Sequence, residues 1–104
     1  MQDIERNSIA LRFKNKVYAI NASFPLVHEI EGELGSIAVL QERFSHMSWE
    51  ISELVTLTHM MLQAAGETVD YLALGNLMLK EGLRPYLAAA QKFLQLAISG
   101  QEVA

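Results

Sequence analysis

Histidine and glutamate side chains supply the few residue pairs in this sequence whose types and spacing could do chemistry. His28 and Glu31 lie three residues apart, which places both on one side of a helix and could ligate a metal ion. A histidine one turn from a carboxylate is common on any acidic helix, so we expect no metal site there. His59 stands beside Met60 in a helical pattern, which is typical of a core or rim residue, and His46 falls in a polar loop.

Two pairs of carboxylates have a spacing that could be taken for an acid–base pair. They are Glu29 with Glu33 and Glu50 with Glu53. Acid–base catalysis needs carboxylates in a cleft with pKa values that differ, whereas these spacings are those of a solvated helix surface. The glycines do not form a phosphate-binding loop, and the serines are better explained as helix caps. We therefore predict no catalytic residue, no cofactor and no metal, and a protein that is not an enzyme.

Length and composition narrow the class of protein. A chain of 104 residues predicts one domain over residues 1–104, and 51% hydrophobic residues argue against disorder. The absence of cysteine excludes disulfides and thiol catalysis and fits a reducing cytosol. A net charge of −4 argues against nucleic acid as a partner. The sequence has no apolar stretch long enough to span a membrane, and its charged start predicts no signal peptide.

Residues 8–21 predict a β-hairpin. Ile9, Leu11 and Phe13 alternate with smaller or charged residues, and Tyr18 and Ile20 continue the alternation after a short break. A two-residue loop at 14–15 would place Phe13 opposite Lys16, Leu11 opposite Tyr18 and Ile9 opposite Ile20. This register collects Ile9, Leu11, Tyr18 and Ile20 on one face. An isolated hairpin is marginal in water, so we expect that face to pack on helices.

Helices are predicted throughout the remaining body, residues 23–100, because small polar residues stand where four of the five would begin and glycines where most would end. The five predicted helices are 23–35 with the cap Ser23 and an early Pro25, a short helix after the cap Ser36, Trp49 to about Ala65 with the cap Ser48, Thr68 to about Glu81, and Arg84 to about Ile98. The predicted fold class is therefore mostly α (α+β), a hairpin packed on a bundle of about five helices.

The third and fifth predicted helices carry more apolar residues than one buried stripe requires. Such a helix is either central in the fold or part of an interface. Methionines suit an adaptable binding groove and an irregular core equally well. We predict that the surplus faces bind a partner or a second copy, while the alternative is a compact bundle that buries both stripes. The candidate partner-binding residues are Leu57, Met60, Met61, Tyr86, Phe93 and Leu96.

The order of several short motifs resembles a family of small tail proteins from tailed phages and gene transfer agents. The motifs are the strand–turn–strand Leu11 to Ile20 with Tyr18, Phe24 followed by Glu29-Ile30-Glu31 and Leu34-Gly35, Arg43-Phe44, Leu62 to Gly66, and Gly82-Leu83 before Ala88-Ala89-Ala90. The resemblance covers nearly the whole chain, and it rests on the order and spacing of motifs that are individually weak. Lys14-Asn15 replaces the family's usual Asp-Gly turn, and Pro25 replaces a glycine.

The resemblance implies a function in building the tail of a phage or prophage, in the cytoplasm of the bacterial host. Members are described either as tail assembly chaperones or as tail tube proteins of the gene-transfer-agent type. A chaperone would bind the tape-measure protein through apolar helix faces until the tail tube protein polymerises around it. The alternative is a structural tail tube or connector subunit, although the known tubes are built on β-sandwich sheets. Self-association is compatible with either role.

Overall fold

Two strands and five helices make up the computed structural model, which describes residues 8–100. The elements are β1 (Ser8–Phe13), β2 (Lys16–Asn21), α1 (Phe24–Leu34), α2 (Ile37–Ser45), α3 (Ile51–Ala64), α4 (Tyr71–Glu81) and α5 (Arg84–Ser99). The strands form one antiparallel two-stranded sheet. This confirms the predicted class, a hairpin on a bundle of five helices.

The hairpin has the predicted register. Leu11 pairs with Tyr18 and Phe13 with Lys16 across a two-residue loop. Lys14 and Asn15 both have positive φ, 52° and 67°, which gives the loop the twist that joins antiparallel strands tightly. The buried face differs slightly from the prediction. Leu11 and Ile20 are buried and Ile9 and Tyr18 half-buried, and Phe13 joins them with 1% of its surface exposed.

The first two helices begin where the sequence predicts, and α1 also ends there. The Ser23 hydroxyl accepts a hydrogen bond from the Leu26 amide at 3.4 Å, and the Ser36 hydroxyl accepts one from the Val39 amide at 3.3 Å. Each bond satisfies an amide that the first turn of a helix leaves unpaired. Gly35 ends α1 with φ of 91°, a conformation that favours glycine.

The next two helices begin later than predicted. Glu50, not Ser48, is the N-cap of α3, because Glu50 and Glu53 satisfy each other's backbone amides in a reciprocal capping box. Trp49 therefore precedes the helix, and its ring stacks on Phe44 with ring centroids 6.0 Å apart. The N-cap of α4 is Asp70, whose carboxylate accepts from the Ala73 amide at 3.0 Å. The predicted caps were the hydroxyl residues Ser48 and Thr68, whereas the carboxylates that cap the helices lie two residues further on.

The core lies around α5. This helix packs against α2, β1 and α3, while α4 packs mainly against α3. Ala90, Phe93 and Leu94 of α5 are fully buried, and the core continues into the hairpin through Leu11 and Phe13. The first described strand and the last helix are therefore neighbours.

Candidate functional site

The six candidate partner-binding residues divide into a buried group and a surface group. Four of them lie in the core with at most 2% of their surface exposed: Leu57, Met61, Tyr86 and Phe93. Met60 and Leu96 are half-buried, and Met60 packs against the core. In this structure only the last two present surface that a partner could touch, and the binding role of all six stays a prediction.

Both apolar faces of α5 are largely covered, which corrects the interpretation of one of them as surplus. One predicted apolar face of α5 contains Ala90 and Leu94, and the other contains Tyr86, Phe93 and Leu96. Tyr86 and Phe93 expose at most 2% of their surface, as do Ala90 and Leu94. The reason is the position of α5 between α2, α3 and the hairpin. A helix that is apolar on most sides is central here, as the alternative interpretation of the same pattern required.

A groove of about 630 Å³ runs between the start of β1 and the outer side of α5. Ile9, Ala88 and Leu96 supply its apolar lining. The polar side chains of Gln91, Lys92 and Gln95 also line it. An apolar floor with a few polar groups around it is the usual composition of a binding groove. Of the six candidate partner-binding residues, Leu96 lines this groove.

A second hollow, of about 480 Å³, surrounds Met60 between α1, α3 and α4. Its other lining residues are polar or aromatic: Glu33, Thr56, His59, Gln63 and Tyr71. His59 is held in place because its Nε2 lies 2.8 Å from the Val69 carbonyl oxygen and its ring meets Tyr71 edge-on. The hydroxyls of Tyr71 and Thr56 lie 3.1 Å apart. Because most of its lining residues are polar, the hollow has less apolar surface than the groove.

Two exposed leucines on α4 were not singled out by the sequence analysis. Leu72 exposes 71% of its surface and Leu79 exposes 57%, whereas Leu74 and Met78 of the same helix are fully buried. The signal was available, because the two exposed leucines lie seven residues apart, two helical turns, and therefore share one face. Counting apolar residues along α4 without separating its faces concealed this surface.

The two side chains whose spacing could have suggested a metal site, His28 and Glu31, have structural contacts. The His28 ring packs against Phe24 with centroids 5.7 Å apart, and the Glu31 carboxylate accepts from the Ile37 amide at 3.0 Å. Within residues 8–100 no group of three histidine or acidic side chains is placed to hold a metal ion. None of the helices in this range is long and apolar enough to cross a membrane.

One tyrosine in the core has a strongly perturbed acidity. The Tyr86 hydroxyl donates a short hydrogen bond, 2.5 Å, to the Glu81 carboxylate. Burial and this bond to a carboxylate raise the pKa of Tyr86 well above the ordinary value of a phenol. The bond joins the end of α4 to the start of α5, so we assign it a structural role at the turn between them.

Comparison with known proteins identifies the family. The family model described as phage tail tube protein, GTA-gp10, matches residues 6–100. The chain belongs to this family. It is therefore a tail protein of the phage and gene-transfer-agent type, and the family description is that of a structural protein. No curated protein and no solved structure matches the chain.

Proposed function

We propose that this tail protein is a tail assembly chaperone that holds an apolar helical segment of the tape-measure protein in the groove between β1 and α5. Family membership supports a role in tail morphogenesis. The groove supports the mode of binding, since Ile9, Ala88 and Leu96 all line it and offer apolar contacts. Helices bind in such grooves through apolar residues spaced three or four positions apart. The observation that carries the proposal is this apolar lining, which contains Leu96.

Lys92 would orient the bound helix, because it adds a positive charge to the lining of the groove. The two lining glutamines are engaged within the fold: the Gln91 amide donates to the Phe44 carbonyl at 2.9 Å, and the Gln95 amide donates to the Ser99 hydroxyl at 3.1 Å. An ammonium group favours the negative end of a helix dipole or a nearby carboxylate. An amphipathic segment with acidic residues beside its apolar stripe is the ligand that fits this lining.

Coexpression of the chain with the tape-measure protein of the same genome tests the proposal. We expect the tape-measure protein to become soluble and to co-purify with the wild-type chain. Leu96→Asp should abolish co-purification, because it places a charge in the apolar floor. Ile98→Asp is the matched control, since Ile98 lies on the same helix, is 49% exposed and does not line the groove. Equal capture by both variants would refute the assignment of the groove.

A structural tube or connector subunit is the second candidate, and the family description favours it. In that role the chain would polymerise, and the tail tube partner would be other copies of the same protein. Electron microscopy of the concentrated chain separates the two functions. Regular rings or tubes, formed without the tape-measure protein, would replace the chaperone proposal with the structural one. Either role needs no catalysis and would be carried out in the cytoplasm of the bacterial host.

A further inference from the structure

The outer face of α4 is an apolar surface that the described part of the chain does not cover. Leu72 and Leu79 are 71% and 57% exposed and stand two turns apart on the same side of the helix. Leu74 and Met78, on the opposite side, are fully buried. A single exposed leucine needs no explanation, but two on one face, two turns apart, form the spacing of a helix–helix contact.

The packing of α4 fixes which side faces outward. Gly75 faces α3, where a Cβ atom added to it would be in van der Waals contact with a methyl group of Val55 at 3.6 Å. Further along, the Tyr86 hydroxyl binds Glu81 and ties the end of α4 to α5. With its inner side set by these contacts, α4 cannot turn its leucines inward without losing the burial of Leu74 and Met78.

The charges at the two ends of α4 differ in sign. Asp70 caps the first turn, and Lys80 and Arg84 stand at and just beyond the last turn. All three are exposed, and none takes part in an ion pair within residues 8–100, where the ion pair found joins Arg43 to Glu53. Glu81 also stands at the last turn, and its carboxylate keeps its negative charge while it accepts the Tyr86 hydrogen bond, so Lys80, Glu81 and Arg84 together carry a net charge of +1. The start of α4 is thus acidic and its end weakly basic.

We propose that a second copy of this chain binds the outer face of α4, with the two α4 helices antiparallel across a two-fold axis. The axis would place Leu72 of each copy beside Leu79 of the other. It would also bring the acidic start of each helix to the basic end of the other, and would oppose the two helix dipoles favourably. A parallel pair would place like charges together at both ends. A two-fold contact of this kind is self-complementary by construction.

The contact would be small. A helix of 11 residues is roughly 16 Å long, so the two α4 helices alone cover much less area than a permanent interface requires. The expected dimer is weak and depends on protein concentration. It is independent of the tape-measure proposal, because the groove lined by Leu96 does not include any residue of α4. Loss of one function by mutation should therefore leave the other intact.

Sedimentation velocity over a wide range of concentrations tests the association. We expect Leu72→Asp to raise the dissociation constant by roughly tenfold or more, because the two-fold axis introduces each change twice. Val39→Asp is the control, since Val39 is exposed to a similar extent, 56%, on α2. A monomer at all concentrations in the wild-type chain would overturn the proposal. Loss of tape-measure binding in Leu72→Asp would also overturn it, because the outer face of α4 would then bind the tape-measure protein instead of a second copy.

Cysteine cross-linking tests the antiparallel arrangement, and the absence of native cysteine makes the readout clean. Mixing the Leu72→Cys chain with the Leu79→Cys chain should give a disulfide-linked dimer under mild oxidation. Either variant alone should give none, because identical positions would lie roughly 10 Å apart along the pair, beyond disulfide reach. Cross-linking of Leu72→Cys with itself would show a parallel pair and contradict the arrangement. Failure of the mixture to cross-link would contradict the contact.

Discussion

Arg43 and Glu53 join α2 to α3 through two parallel hydrogen bonds. The Arg43 guanidinium donates from Nη1 to Oε2 at 2.8 Å and from Nη2 to Oε1 at 2.7 Å. Its Nε also donates to the Ser48 carbonyl at 3.0 Å, and Glu53 accepts from the Glu50 amide at 3.0 Å. The pair therefore fixes the connecting loop as well as both helices. Such planar, bidentate geometry is more specific than that of an ordinary surface ion pair.

This pair predicts a loss of stability in acid. The hydrogen bond from Arg43, helped by the Glu50 amide, lowers the pKa of Glu53 below its ordinary value of 4.5, against an opposing effect of partial burial. A carboxyl group with a lowered pKa in the folded state stabilises the fold above its unfolded pKa. That contribution is lost as the pH falls below 4.5 and through the folded pKa. Urea midpoints measured from pH 7 to pH 3 should show this decline.

The variant Glu53→Gln measures how much of the loss of stability in acid is due to the Arg43–Glu53 pair. The variant keeps the shape of the side chain but cannot titrate, so it should be less stable at pH 7 and should lose less on acidification. Solvent screens the pair, since the Glu53 side chain is 18% exposed and that of Arg43 33%. An acid slope identical to that of the wild-type chain would show that other carboxyl groups are responsible.

Thr58→Val should stabilise the protein. The Thr58 side chain is fully buried and its Oγ1 has no hydrogen-bond partner among the described residues. Removing an unpaired buried hydroxyl while keeping the branched shape should raise the free energy of unfolding by about 1 kcal/mol. Thr56→Val is the control, because its hydroxyl pairs with Tyr71 and its loss should not stabilise. Urea denaturation of the two variants gives the comparison, and a less stable Thr58→Val would mean that the hydroxyl is satisfied.

The hairpin loop offers a second route to higher stability. Lys14 and Asn15 both adopt positive φ, which asparagine and glycine tolerate better than lysine. Replacing Lys14-Asn15 by Asn-Gly should therefore raise the free energy of unfolding by roughly 0.5–1 kcal/mol. Asn15→Val, which places a β-branched residue at positive φ, should do the opposite. Thermal unfolding followed by circular dichroism would measure both, and equal melting temperatures would count against the assigned turn.

Phe93 and Leu96 should respond differently to truncation, although the sequence placed them on the same candidate face. Phe93→Ala empties space in a fully buried site and should lower the free energy of unfolding by about 3–5 kcal/mol. Leu96→Ala removes a half-buried side chain at the groove and should lower it by less than half as much. Similar losses for the two variants would contradict the burial difference. Both measurements need only chemical denaturation of the isolated chain.

The fold was largely predictable because its signals are local. Alternation in 8–21 determined the register of the hairpin, and Ser23, Ser36 and Gly35 marked the ends of the first helices. The predicted start of α3 was wrong because a reciprocal pair of glutamates, 50 and 53, caps the helix instead of a serine. That signal was present in the sequence, but glutamate is a less common cap and a nearby serine competed with it.

The candidate surface was less predictable because burial depends on distant segments. Tyr86 and Phe93 form an apolar stripe that is buried because α2, α3 and the hairpin pack around α5. Helical periodicity gives the direction of a side chain around its own axis, not what packs against it. Leu72 and Leu79 were missed for a different reason, since their seven-residue spacing places them on one face of α4 and away from the buried Leu74.

Because β1 packs against α5, the hairpin cannot complete its packing until the end of the chain has been synthesised. The apolar side chains of the hairpin, Leu11 and Phe13 among them, belong to a core that α5 completes. At synthesis rates of roughly 5–20 residues per second, the hairpin emerges several seconds before α5 is made. The nascent chain must therefore carry an uncovered apolar strand pair during that interval. A protein proposed to shield another chain's apolar helices thus exposes apolar side chains of its own hairpin while it is being translated.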